Sequence, residues 1–313
     1  MDLRQLRYFL TIVEQGSFSR AAAVLNVAQP ALSIHLRKME DALGTPLLIR
    51  RPQGVVPTEA GDLLALRARR ILSEMARTED EIRSLHSDPA GEVRLGFPAT
   101  VSSILSVPLI SAARDRYPRI RINIAEAMSG FVSEWLMDGR IDMAILYNDI
   151  GQKGLRSDLL LKEELVMLTP PGDHMPDPVS LADLQRTALI LPSSAHGLRR
   201  MIDQAARHAG SKLTCEVEID SFSNIKALVA GAHGCSILPY HAVAAEAKAG
   251  LVGIRHFAEP RLWRSAYLVH MTDRPMSRAG EVIADLLRET VATLLADGAW
   301  AIDGLIAPDA PDV

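Results

Sequence analysis

The chain of 313 residues holds only two cysteines, Cys215 and Cys235, and neither belongs to a C-x-x-C pair. A disulfide framework and a structural zinc site are both excluded on that count. The two thiols read as small core residues, with a redox pairing between them as the rarer alternative. No run of 18 apolar residues occurs, so no membrane-spanning helix and no membrane partner are expected. Met1-Asp2-Leu3-Arg4 leads straight into an amphipathic pattern without a signal peptide, which reads as a cytoplasmic location. Common catalytic motifs are missing as well: G-x-x-x-x-G-K-[ST], G-x-S-x-G, H-E-x-x-H and a strand-linked G-x-G-x-x-G. The nine histidines do not gather with carboxylates at metal spacing. No enzyme activity, cofactor or metal is therefore expected.

Net charge is also small, −4, but it is unevenly spread. The first 70 residues hold ten Lys or Arg and six Asp or Glu, which makes that segment +4 and the remainder −8. A basic head on an acidic body suits a protein whose first domain alone meets a polyanion. So modest a charge suits a head that acts in two or more copies. The chain is 48% apolar, enough to fill the cores of two or three domains.

What is present is concentrated in residues 18–51. Phe18 to Val27 is an alanine-rich amphipathic stretch, with Ala21, Ala22, Leu25 and Val27 able to face inward. A break at Asn26–Ala28 follows. Pro30 then falls in the first turn of a second helix, where its missing N–H is tolerated. Leu32, Leu36, Met39 and Leu43 form the inner face of that helix. Gln29, Ser33, His35, Arg37 and Lys38 offer donors and cations to base edges and phosphates. Two short helices joined by a tight turn, the second polar outside, make a helix-turn-helix. Arg50-Arg51-Pro52-Gln53-Gly54, between Leu47–Ile49 and Val55–Val56, reads as a two-stranded wing. Gly54 is expected at its tip, with Arg50 and Arg51 aimed at DNA backbone or minor groove.

The first 60 residues resemble LysR-type transcriptional regulators. The likeness rests on Leu3-x-x-Leu6-x-x-Phe9, Gly16-Ser17-Phe18, Ala21-Ala22, Leu25 and Gln29-Pro30-Ala31-Leu32-Ser33, followed by Leu43-Gly44, Pro46-Leu47-Leu48, Arg50 and Thr58-Glu59-Ala60-Gly61. Two departures stand out. Leu47-Leu48-Ile49 replaces the family's frequent Glu-Leu-Phe. Ile34 occupies a position often held in relatives by a base-reading Arg.

Beyond the wing, Thr58 can cap a long helix with Glu59 and Asp62 in its first turn. Leu64, Ala68, Ile71, Met75, Thr78, Ile82 and Leu85 alternate in steps of four and three, a coiled-coil seam that wants a partner chain. From Glu59 to His86 this helix would be about 42 Å long. Ser87-Asp88-Pro89-Ala90-Gly91 breaks it. From Glu92 strands and helices alternate, which predicts parallel sheets. Gly139-Arg140-Ile141-Asp142-Met143-Ala144-Ile145 and Ala230-Gly231-x-x-Gly234-x-x-Ile237-Leu238-Pro239 resemble the effector domain of the same family.

The fold expected is α/β: a winged helix-turn-helix domain (1–58), a long linker helix for dimerisation (59–88), and a two-lobed effector domain of periplasmic-binding-protein type (89–297). Lobe I would take about 92–168 and 271–297, and lobe II about 169–270, with a disordered tail over 298–313. Ligands in such sheets bind beyond strand C-termini, near helix N-termini. Thr100, Ser102 and Ser103, then Ser129, then Ser193 and Ser194, and finally Phe222 beside Ser221 and Ser223, sit at four such turns. Each hydroxyl could equally well serve as a helix cap. His196 could add a cation. Thr100, Ser129 and Ser193 match positions where relatives hold small carboxylate or oxyanion effectors.

The resemblance implies a transcriptional regulator that binds an interrupted palindromic promoter site and responds to a small metabolite. It also implies dimers, a tetramer, and RNA polymerase as a further partner. Two rivals remain. One is a solute-binding protein or small-molecule sensor with a DNA-binding module but a different output; the other is an enzyme fused to such a module.

Overall fold

The structure, a computed structural model, describes residues 1–84, 88–147, 154–259 and 261–300. One compact unit is built on Met1–Gly91, and a second on Glu92–Leu136 and the chain beyond Ile141.

In the first unit α1 (Leu3–Gln15) starts with a capping box. Asp2 Oδ1 accepts from Gln5 N at 2.8 Å, and Gln5 Oε1 accepts from Asp2 N at 3.0 Å. Ser17 caps α2 (Phe18–Leu25), which ends at Asn26 in a left-handed conformation (φ 52°). A short polar side chain tolerates that conformation, and the turn into α3 (Gln29–Leu43) is correspondingly tight. Pro30 occupies the first turn of α3, as expected. The wing strands β1 (Leu48–Arg51) and β2 (Gly54–Pro57) pair antiparallel, Arg51 opposite Gly54. The wing tip is therefore Pro52-Gln53, and the expectation of Gly54 at the tip is corrected. Gly54 has a different duty: a Cβ there would lie 2.3 Å from the Gly16 carbonyl oxygen, so only glycine lets the wing strand approach the α1–α2 turn this closely.

Phe9, Ile12, Leu32, Met39 and Leu47 fill the head core. Burying side chains of this size contributes roughly 1.5–3 kcal/mol each. Helix α4 (Glu59–Ser84) is entered through Thr58, whose Oγ1 accepts from Gly61 N at 3.0 Å. Its first turns belong to this same core. Ala65 and Ala68 are buried in it, and Leu64 and Leu72 pack against it. The seam expected from Leu64 is therefore corrected at its start, since Leu64 and Ala68 face the head. Farther along, Ile71, Met75 and Ile82 are exposed, at 45%, 44% and 64%. Leu85 and His86, expected on the same helix, and Ser87 of the expected break lie outside the described residues.

The second unit runs β3 (Gly91–Phe97), α5 (Ala99–Arg116), β4 (Ile120–Glu126), α6 (Ser129–Met137), β5 (Met143–Leu146), β6 (Leu155–Thr169), β7 (Leu189–Leu191), α7 (Gly197–His208), β8 (Cys215–Glu218), α8 (Phe222–Ala230), β9 (Ser236–Pro239), α9 (Ala244–Lys248), β10 (Gly253–Arg255), β11 (Trp263–Met271) and α10 (Arg278–Ala296). One sheet has the order β10-β6-β11-β5-β3-β4, with β9 also on β6, and a small sheet joins β7 to β8. β3–β5 and β7–β8 pair in parallel, whereas β11–β5, β11–β6, β6–β9 and β10–β6 are antiparallel. The purely parallel expectation is thus corrected to a mixed sheet. The cause is the returning strand β11, which enters the sheet between β5 and β6 and runs opposite to both.

Strand β6 serves both lobes. Its residues 155–164 pair with β11, and residues 165–169 pair with β9 and β10. The changeover falls at Glu164/Leu165 and at Leu262/Trp263, earlier than the expected points near Thr169 and His270. A core around Leu95, Phe97, Leu105, Met143, Ile283 and Leu287 fills one lobe, and one around Leu165, Met167, Ile190, Ile202, Ile225 and Ile237 fills the other. The tail expected from Gly298 is corrected in its first residues. Trp300 is 2% exposed and packs into the first of these cores; 301–313 lie outside the described residues. Among the described residues no helix is long and apolar enough to cross a membrane.

Candidate functional site

Two surfaces carry chemistry, one on each unit. On the head, the i, i+3, i+4 spacing of α3 sets Gln29, Pro30, Ser33, Ile34, Arg37 and Lys38 on its outer side. Gln29, Pro30, Arg37 and Lys38 are exposed, and Gln29 Nε2 donates to Ser33 Oγ at 3.3 Å. Arg50 and Arg51 are exposed on β1, and the Arg50 guanidinium lies 5.1 Å from the Phe18 ring centre. Glu40 Oε1 accepts from Leu47 N at 2.8 Å and so fixes the start of the wing relative to α3. Between them lies a notch of about 340 Å³, edged by Ser33, Arg37 and Arg50. His35 does not join this face. Its ring stands edge-on to Tyr8 of α1, centroids 5.2 Å apart, because position 35 turns toward the inner side of the helix. The expectation that His35 reads DNA is corrected accordingly.

On the second unit, a cavity of about 320 Å³ opens between the two lobes. Four helix starts reach it: α5 through Thr100, α6 through Ser129, Gly130 and Ser133, α7 through Gly197, Leu198, Arg200 and Met201, and α8 through Phe222. Helix N-termini present N–H groups and the positive end of the macrodipole. The expected turns therefore do converge, and Thr100, Ser129 and Phe222 line the cavity. Ser102, Ser103, Ser193 and Ser194 do not. Ser102 Oγ bonds Ser106 Oγ and Ser103 Oγ donates to the Thr100 carbonyl, both within α5. Ser193 donates through N and Oγ to Asp220, and Ser194 is exposed. Ser102, Ser103 and Ser193 are corrected to local roles, and Ser194 to an exposed position off the cavity.

The floor of the cavity is polar and buried. Arg264 on β11 stacks on the Tyr147 ring, its guanidinium carbon 3.5 Å from the centroid, and donates to Thr100 Oγ1 at 3.2 Å. Thr100 Oγ1 and Tyr147 OH are 2.9 Å apart. Burial pushes the Tyr147 phenol far up, against the opposing pull of Arg264, so it stays protonated. Behind Arg264, its cross-strand partner Glu163 accepts from Arg264 Nε and, at 2.9 Å, from Trp300 Nε1. His241 Nδ1 lies 2.9 Å from the same carboxylate, and His241 Nε2 is 3.1 Å from the Thr100 carbonyl. Burial alone would raise the Glu163 carboxyl; Arg264 and His241 outweigh it and hold the group well below the usual carboxylate range.

His196 caps α7 by accepting from Leu198 N through Nδ1 at 3.2 Å. Burial, with Arg264 nearby, lowers its pKa. The cationic role expected of His196 is therefore corrected: it is a neutral acceptor. Arg264 and Arg200 are the cations at the cavity, and none of its described lining residues is acidic.

Tyr147, Arg200 and Arg264 were not among the expected cavity residues. Arg264 leaves a trace in the sequence, since it falls in phase with buried Ala266 and Leu268 along β11. A charge on the core side of a strand needs a partner. That partner, Glu163, is 101 positions away, and only the folded sheet pairs them.

Residues 3–62 match the family described as bacterial regulatory helix-turn-helix protein, lysR family, and residues 86–292 match the LysR substrate binding domain. The chain is 35% identical to the nitrogen assimilation regulatory protein nac of Escherichia coli (strain K12), over 76% of this chain and 78% of that protein. It is 31% identical to a probable hydrogen peroxide-inducible genes activator of Streptomyces viridosporus, over 94% and 95%. A full-length OxyR variant from Pseudomonas aeruginosa shares its fold, with a TM-score of 0.74 at 22% identity over 93% and 94% of the two chains. Full-length CbnR complexed with its target DNA also shares it, with a TM-score of 0.68 at 22% identity over 93% and 100%. The winged head, the two-lobed cavity domain and these whole-length likenesses agree, and the chain belongs to the LysR family of ligand-responsive, DNA-binding transcriptional regulators.

Proposed function

We propose that this regulator reads an interrupted palindromic duplex with paired heads, through Gln29, Pro30, Ser33, Arg37 and Lys38 of α3 and Arg50 and Arg51 of the wing. Two-fold pairing through Ile71, Met75 and Ile82 of α4, and assembly of two dimers into a tetramer, give the head the multiple copies its modest charge requires. RNA polymerase is the partner through which occupancy alters transcription, and the cytoplasm is the compartment.

The effector is a small carboxylate or other oxyanion with an apolar portion. One observation supports this most: Arg264 and Arg200, together with four helix N-termini, face a cavity of about 320 Å³ without an acidic lining residue. Phe222, Leu198 and Met201 supply the apolar wall. An effector that binds the closed lobes more tightly than the open ones shifts the arrangement of the dimers on DNA. A thermal-shift titration of the full-length protein against a panel of small mono- and dicarboxylates tests the reading. At least one anion should raise the melting temperature of the wild type, and Arg200→Gln combined with Ser129→Ala should abolish that rise while leaving duplex binding intact. If only neutral compounds stabilise the protein, or the double variant responds like the wild type, the reading fails.

A further inference from the structure

We infer that Ile34 is a specificity-determining residue of the DNA-reading surface, and that it recognises the 5-methyl group of a thymine in the major groove. Ile34 is 56% exposed, a large aliphatic side chain on the outer side of α3 that takes no part in the head core. Its helix neighbours are Pro30 one turn before and Arg37 and Lys38 one turn after, all exposed. A β-branched residue at an exposed helical position adds nothing to helix propensity. The fold therefore gives no reason for isoleucine here.

DNA supplies one. Each recognition helix offers the side chains of its N-terminal half to base edges, and the apolar feature a major groove presents to them is the thymine methyl. Flanking cations at positions 37 and 38 suit phosphates on either side, which would hold the helix with position 34 turned to the groove floor. Ile34 also discriminates by penalty. A purine N7 or O6 placed against it loses water and gains no hydrogen bond.

The inference rests on α3 being the base-reading helix, and the experiment separates the two. Random duplexes are selected with the full-length wild type, and the selected duplex is resynthesised with each thymine replaced in turn by deoxyuridine, which lacks only the methyl. Removing one buried methyl should weaken wild-type binding about fourfold at one thymine in each half-site. Ile34→Ala should bind the thymine duplex more weakly, show no further loss at that deoxyuridine, and melt like the wild type. The proposal is overturned if no deoxyuridine replacement weakens the wild type, or if Ile34→Ala keeps the full loss at the same position. Arg37→Ala reports on the underlying reading: unchanged affinity for the selected duplex would show that the outer side of α3 does not lie against DNA, and the proposal would fall with it.

Discussion

Glu163 shows how a single residue ties the cavity to the fold. Its carboxylate is buried with Arg264, His241 and Trp300 around it, and Arg264 in turn carries Thr100 and Tyr147. Breaking a buried ion pair from one side leaves the other charge uncompensated, which costs about 3–5 kcal/mol. Glu163→Gln should therefore lower the urea midpoint strongly while keeping the shape of the side chain. The pH dependence has a definite sign. A carboxylate depressed in the folded state contributes stability above its unfolded pKa, and that contribution fades as pH falls through the folded value. The stability gap between wild type and Glu163→Gln should hold at neutral pH and narrow below about pH 4.3. A gap that stays constant from pH 6 to pH 3 would show that the charge of Glu163 is not what stabilises the cluster. Of this cluster Thr100 was legible at its strand-to-helix turn and Arg264 left a trace in the phase of its strand, but the members are spread from position 100 to position 300 and only the fold joins them.

Among the elements, α4 divides between two tasks that a heptad pattern cannot tell apart. Its stripe is apolar throughout, but Ala68 is 0% exposed within the head whereas Ile71 is 45% exposed. Substitution should separate the two. Ala68→Glu should unfold the head, read as a lost melting transition and lost duplex binding. Ile71→Glu should leave the head folded and lower the sedimenting mass of the assembly; an unchanged mass would remove Ile71 from the pairing surface. Strand β7 settles a second ambiguity. Cys215 and Cys235 both flank Leu189, one on each side of the strand. Two strand spacings put their Cα atoms about 9.6 Å apart, beyond the roughly 7 Å that a disulfide can bridge. Burial also pushes the Cys235 thiol up to about 11, leaving little thiolate to react. Treatment with hydrogen peroxide followed by peptide mass mapping should yield no Cys215–Cys235 cross-link. Finding that cross-link in folded protein would mean that the β7–β8 edge opens.

At the scale of the whole chain, the strands that pass between lobes decide where the cavity lies. β6 runs through both lobes, β11 lies beside it in one of them, and Glu163 and Arg264 face each other where the pairing changes over. The cavity domain was expected from alternating strands and helices, and four of its turns were expected to converge. Convergence occurs, yet through helix starts and buried side chains more than through the hydroxyls of Ser102, Ser103, Ser193 and Ser194. The hydroxyls of Ser102, Ser103 and Ser193 satisfy nearby backbone and side-chain groups, the common duty of serine at a turn.

Local physics explains the division between what could be read and what could not. The helix-turn-helix, its caps and the wing depend on contacts among near neighbours, such as Asp2 with Gln5 and Thr58 with Gly61, so residue order alone determined them. It determined equally that Ile34 stands outward on α3, because helical periodicity needs no distant partner. Tertiary structure alone decided that Ala68 belongs to the head, that β11 returns antiparallel to β6, that Trp300 closes over Glu163 and that Arg264 lies beneath the cavity. Each of those outcomes joins segments far apart in the chain, and the burial that stabilises them exists only once both segments are in place.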